Sequence, residues 1–199
     1  TNLGIEKIAT GEQSGTWGDT TNFNIDILDR LISYKAVGLT GTTHTLTVRE
    51  ASPGSGTENL QDGMYRVIKF TGALGANNTV TIAPNTTQVY FMVVNATTDS
   101  GSSGPYSVIL SQGSGANITV PNGYANLVYA DGAGAGAAVV SVTDTLTMSG
   151  TKITGGVITG ITDLAIADGG TGASTAAAAR TNLGAAADGD AVAMAIALG

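Results

Sequence analysis

Between residues 36 and 142 turn residues recur so often that no long helix fits between them. PGSG, QDG, GANN, PNTT, DSGSSGP, QGSG, PNG and DGAGAG separate short runs rich in Val, Ile, Thr, Tyr and Phe. The runs are His44–Glu50, Tyr65–Gly72, Thr79–Ala83, Val89–Ala96, Tyr106–Ser111, Asn117–Pro121, Ala125–Ala130 and Ala137–Val142. Several alternate apolar and polar residues, as a strand with one face on a core does. With no helical pattern between them, they predict a mainly β chain whose 36–142 block is an antiparallel β-sandwich or barrel-like domain. Phe70 and Phe91 are the expected core aromatics of that block.

The flanks read differently. Residues 1–35 predict an N-terminal arm carrying one short helix, capped at Thr20, Thr21 or Asn22. Phe23, Ile27, Leu28 and Leu31 fall at helical spacing, with Asp26, Asp29 and Arg30 on the other side. Gly11 to Gly18 has no periodicity and reads as an extended arm held by Trp17.

Residues 143–199 predict an extended, shaft-like segment followed by short helices. Ile-Thr-Gly recurs at 153–155 and 158–160, and Ile153, Ile158, Ile161, Leu164 and Ile166 stand singly between Thr and Gly. Gly155, Gly156 and Gly160 oppose a helix at ~1 kcal/mol each, and β-branched neighbours favour extended chain. So little apolar surface orders poorly alone, and association with sister copies through those five residues is the expectation. STAAAARTNLG then offers Ser174 as a helix cap and Gly184 as its stop, and DGDAVAMAIALG starts a second helix.

Composition narrows the chemistry. Charged residues are 12%, about half the usual share. With no Cys and one His, thiolate nucleophiles, disulfides and multi-His or Cys metal sites are excluded. A net charge of −7 with Lys plus Arg at 8 disfavours nucleic acid. There is no apolar run of ~20 residues and no leader pattern, so no membrane insertion is expected. Thr1 fits a start from which an initiator Met has been removed.

No catalytic residue, metal or cofactor is nominated. The glycines at 132–136 and 169–172 lack the lysine of a phosphate loop and the strand-turn-helix of a dinucleotide fold, so they read as turn or shaft. Asp188 with Asp190 suits a helix start, and Asp26 with Asp29 a solvated helix side, better than a glycosidase pair. His44 lies among threonines without a nucleophile motif and reads as a surface strand residue. The sequons at Asn77, Asn85, Asn95 and Asn117 lack the context of glycan sites. Tyr65, Tyr90, Tyr106, Tyr124 and Tyr129 lie in or beside the runs, where alternation turns some outward as a conceivable sugar platform.

Most of the chain carries a family resemblance. IADGGTGASTAAAARTNLGA (166–185) is very similar to a segment recurrent in bacteriophage tail fibres, matching at Ala167 to Ala173, Arg180, Asn182, Leu183 and Gly184. GEQSGTWGDTTNFNIDILDRL (11–31) resembles the start of tail fibre or tail-associated proteins of marine phages, including those infecting cyanobacteria. MYRVIKFTGAL, VYFMVVNAT, ITVPNG and LVYADG resemble a β domain of the same proteins.

The resemblance implies a non-enzymatic virion component, a homotrimer assembled in the host cytoplasm. Residues 1–35 would be the docking arm, with Trp17, Phe23, Ile27, Leu28 and Leu31 buried against a tail protein of adaptor, nozzle or baseplate type. Residues 36–142 would be a β domain near the virion and 143–199 the start of a trimeric shaft. A host receptor would be met only by more distal parts. Two rivals stay open: a capsid-attached fibre or decoration protein, and a carbohydrate-binding or depolymerising module.

Overall fold

Most of the ordered elements are strands, and each of the eight sequence runs contributes one. The computed structural model describes residues 4–49, 60–101, 103–145, 170–185 and 188–198. They divide into two units, Thr1–Thr147 and Met148–Gly199.

In the first unit helix α1 (Trp17–Leu31) precedes eleven strands. These are β1 (Tyr34–Gly38), β2 (Thr43–Thr47), β3 (Val67–Thr71), β4 (Ala73–Leu74), β5 (Asn78–Ala83) and β6 (Val89–Asn95). There follow β7 (Thr98–Asp99), β8 (Val108–Ser111), β9 (Ile118–Val120), β10 (Ala125–Ala130) and β11 (Val139–Ser141). They form a five-stranded sheet in the order β1-β3-β6-β10-β11, a four-stranded sheet β2-β5-β8-β9 and a two-stranded sheet β4-β7. Among the described residues no sheet closes into a barrel.

The expected antiparallel pairing is corrected: the sheets are mixed. β1 with β3, β3 with β6, β2 with β5, β5 with β8 and β4 with β7 are all parallel. The chain passes from the five-stranded to the four-stranded sheet in three successive circuits, β1-β2, β3-β4-β5 and β6-β7-β8. Parallel neighbours need a long crossover, usually a helix. Here the crossover is itself a strand of the other sheet, so the sequence carries no helical signal for it. Antiparallel pairing appears only as the winding ends, where β9 turns back on β8, β10 on β6 and β11 on β10.

Alternation along each strand fills the core. Val37, Ile68, Phe70, Phe91, Val93, Val128 and Val139 from the larger sheet join Leu46, Val80, Ile82, Val108, Leu110 and Val120 from the smaller in one buried cluster. Each such side chain contributes ~1.5–3 kcal/mol by leaving water. Asn95 is fully buried at the end of β6 and every polar atom of its amide is used. Its NH₂ donates to Val120 O at 2.9 Å and Tyr106 O at 3.3 Å, while Oδ1 accepts from Thr97 N and the Thr97 hydroxyl. Gly72 leaves β3 at φ +111°, where a Cβ would stand 2.3 Å from Leu39 O, so only glycine fits this bend.

The start of the chain also departs from expectation. α1 begins at Trp17 rather than at a cap near residues 20–22, and Thr16, its N-cap, makes no side-chain capping bond. Glu6 N–H donates to Asn24 Oδ1 and the Asn24 amide returns a bond to Glu6 O. Gln13 bridges the Glu6 carboxylate and the Thr20 hydroxyl. The segment before α1 is therefore bonded to the helix; Trp17 joins in through its N–H to Gln13 O at 2.9 Å, while its side chain is exposed.

In the second unit α2 (Ala176–Asn182) is capped by Thr175, whose hydroxyl accepts from Ala178 N at 3.2 Å. Ser174 stands one residue before that cap. Gly184 follows at φ +65°, the left-handed position that stops a helix. α3 (Asp188–Ala197) comes next.

Candidate docking surfaces

Two apolar stripes run along α1. Thr20, Phe23 and Ile27 are buried, Phe23 and Ile27 against Met64 with Ile5 and Leu60 beside them. Arg30 reinforces that side by donating to Gln61 O at 3.2 Å and standing 5.1 Å from the centre of the Tyr65 ring. Trp17, Ile25, Leu28 and Ile32 form the other stripe, at the i, i+8, i+11, i+15 spacing of one helix side. All four are exposed, Trp17 by 62% and Ile32, just past the helix, by 86%.

The five sequence-nominated docking residues therefore do not share a surface. Trp17 and Leu28 face solvent, Phe23 and Ile27 are packed inside the chain, and Leu31 is half-buried. Ile25 and Ile32, which the sequence reading passed over, complete the exposed stripe. A helical-wheel count from Trp17 instead of Phe23 would have found them.

The outer faces of the two large sheets are chemically opposite. On the four-stranded sheet Thr43, Thr79, Ile109 and Thr119 lie in register, as do Thr45, Thr81 and Ser111. Apart from Ile109, these rows present hydroxyls. On the five-stranded sheet one row reads Tyr34, Val67, Met92, Leu127 and the next Ala36, Lys69, Val94, Ala125. A third row sets Tyr90 beside Tyr129 and Val140. Tyr34, Tyr90, Met92 and Tyr129 are all exposed, and Lys69 is the one charge in these rows. The face thus leaves several large apolar and aromatic side chains in water.

At one end of that face a cleft of about 340 Å³ is lined by Gln88, Val89, Tyr90, Tyr129, Ala130 and Asp131. The Arg66 guanidinium lies 5.1 Å from the centre of the Tyr90 ring. Burial draws the Arg66 pKa down, and its interaction with Tyr90 opposes that shift. Asp131 Oδ1 accepts from Ala138 N and Ala133 N, both at 3.0 Å, and these bonds hold its carboxyl below the ordinary 3.8. The adjoining Gly132 N–H donates to Oε1 of buried Gln112, whose amide donates to Thr87 O at 2.7 Å. The Asp131 corner is thereby fixed to the core.

The remaining nominated residues are placed as follows. Phe70 and Phe91 are fully buried, and Tyr65 and Tyr106 pack partly against the core. His44 is half-buried in β2, an edge strand. Asp26 and Asp29 are exposed on α1. Ile153, Ile158, Ile161, Leu164 and Ile166, nominated for contact between sister copies, lie outside the described residues. After Asp190, α3 contains only Ala, Val, Met and Ile, and Val192, Met194 and Ile196 are exposed. Among the described residues no group of three His, Asp or Glu is placed to hold a metal ion, and no helix is long and apolar enough to cross a membrane. No protein family model, curated protein or solved structure matches this chain.

Proposed function

We propose that this chain is a structural, non-catalytic virion protein, the tail-proximal part of a phage tail fibre acting as a homotrimer. The observation that carries the reading is the Trp17–Ile25–Leu28–Ile32 stripe, an apolar helix side left in water on a helix already anchored by Phe23 and Ile27. A rigidly held apolar side suits a docking element, because little ordering remains to be done on binding. The receiving surface is a tail protein of adaptor, nozzle or baseplate type. Three copies on one fibre would engage at high effective concentration, so each stripe needs only modest affinity.

In this reading the two large sheets form a sandwich, residues 143–199 begin a shaft, and host contact belongs to more distal parts. Self-association is supported by α3, since the stretch after Asp190 is apolar all round and such a helix is normally buried; the number three comes from the resemblance. Tail localisation follows from the same docking role, and probing purified tails against purified capsids separates it from a capsid-attached fibre.

The decisive variant is Trp17→Ala with Leu28→Ala. Fibre occupancy on particles should fall by tenfold or more, on the order of what one or two buried anchors supply. Thermal melting of the isolated chain should stay within about 2 °C, as both side chains are exposed. Normal occupancy in the double variant would refute the docking role.

A further inference from the structure

Three features stand outside the docking role: the threonine rows, the exposed side of α3 and the tyrosine cleft. The tyrosine cleft joins paired aromatic rings to a carboxylate fixed by hydrogen bonds. We infer that the cleft between Tyr90 and Tyr129 is a saccharide-binding site, an activity beyond the structural role proposed above.

The chemistry of the lining carries the inference. Tyr90 and Tyr129 are direct cross-strand partners and both point outward, 57% and 43% exposed. Adjacent phenol rings offer an apolar surface edged by hydroxyls, which matches a pyranose with its C–H face and equatorial hydroxyls. The Arg66 guanidinium against Tyr90 steadies that ring, leaving Tyr129 as the principal platform. At the rim, Asp131 uses Oδ1 for Ala133 and Ala138, so Oδ2 is left to accept from a sugar hydroxyl. Because Gln112 pins the neighbouring Gly132, this acceptor stands ready without reorganisation.

Other occupants fit less well. A phosphate-bearing ligand would face the Asp131 carboxylate on a chain of net charge −7. An alkyl chain would use the tyrosine rings but offer the Asp131 carboxylate no donor. A protein partner would have to cover the wider apolar face, roughly 20–30 residues a side, and not only this cleft. Its volume of about 340 Å³ instead lies at the small end of ligand clefts, which run from about 300 to 1,000 Å³.

The test uses the full chain and a glycan array of neutral, N-acetylated and uronate oligosaccharides, followed by calorimetric titration of the retained sugars. Saturable binding with Kd on the order of 0.1–10 mM is expected, with the sugar ring protons receiving saturation transfer from tyrosine in NMR. Tyr129→Ala should weaken binding by roughly tenfold or more, Tyr129→Phe by less than about threefold, and Asp131→Asn by an intermediate factor. Tyr124→Ala, at the other end of β10, should bind as the parent does. Saturation transfer on the unaltered chain keeps the test valid should Tyr129→Ala fail to fold. The site is refuted if no sugar is retained, or if Tyr129→Ala retains sugars as well as the parent. A fall in solution mass on Tyr129→Ala without glycan binding would assign the face to a second copy and likewise overturn the proposal. None of these outcomes touches the Trp17 stripe, so the docking role stands or falls separately.

Discussion

The β-stranded unit and the helices of residues 170–198 solve the same problem in opposite ways. In the first, Val, Ile, Leu and Phe alternate with polar residues and both large sheets send their apolar side chains into one cluster. In the second, α2 has no buried residue, and the described large side chains of α3 are exposed despite being wholly apolar after Asp190. The first region completes its burial within one chain. Among the described residues the second presents apolar surface to solvent, which is what the proposed assembly would cover.

The contrast breaks most sharply in a pair of truncations. Phe91→Ala should cost ~3–5 kcal/mol in urea unfolding of the dilute chain, since Phe91 is fully buried. Ile196→Ala, at a 76% exposed position, should change it by less than ~0.5 kcal/mol. Equal costs would mean that α3 is buried in the single chain, and the distinction between the regions would vanish. At higher concentration, a fall in solution mass for Ile196→Ala alone would sharpen it.

Gly72→Ala is next in size. The left-handed φ and the 2.3 Å approach to Leu39 O leave a methyl group no room, and a loss of about 2–3 kcal/mol is expected in the same unfolding curve. In the helical region the corresponding change is smaller: Thr175→Ala removes the cap on Ala178 N and should cost ~1 kcal/mol of local helix stability. It should appear as reduced far-UV helicity with the midpoint of the β-stranded unit unmoved. A shifted midpoint would show that the two regions unfold together.

The smallest expected effect is a pH dependence at Asp131. Its folded pKa is depressed by the backbone N–H groups of Ala138 and Ala133, so its stabilisation is fully present above the unfolded value of 3.8. It is lost as pH falls below 3.8 and through the folded pKa. Melting of the parent compared with Asp131→Asn, at neutral pH and again near pH 3, should show a gap that narrows in acid. A gap that widens in acid would reverse the assignment.

Local pattern made the strands legible but not their partners. The eight runs succeeded because alternation such as Val89-Tyr90-Phe91-Met92-Val93 is imposed by burial on one side, and burial is written residue by residue. β1 escaped because Val37 is the one buried residue of Tyr34–Gly38, too few for alternation to show. Parallel pairing was hidden because the crossovers are strands, and turn clusters between strands look the same whether the chain reverses or changes sheet.

On α1 both stripes are apolar, so spacing alone did not say which one the chain keeps. Met64, thirty-seven positions beyond Ile27, decides it by packing on Phe23 and Ile27. The Tyr90–Tyr129 pair was legible only as two outward candidates. Their adjacency is a matter of register, and the fixed carboxylate beside them depends on Gln112, which no local motif announces.

The parallel winding has one further consequence. Because each circuit hands its strands to the next in the same direction, an added copy of the middle circuit would find ready-made partners above and below it. Such a block can lengthen by duplication of a stretch of gene while its first and last turns keep their form. Distance between whatever is held at its two ends then becomes a heritable quantity, adjustable in steps of one strand spacing, about 4.8 Å.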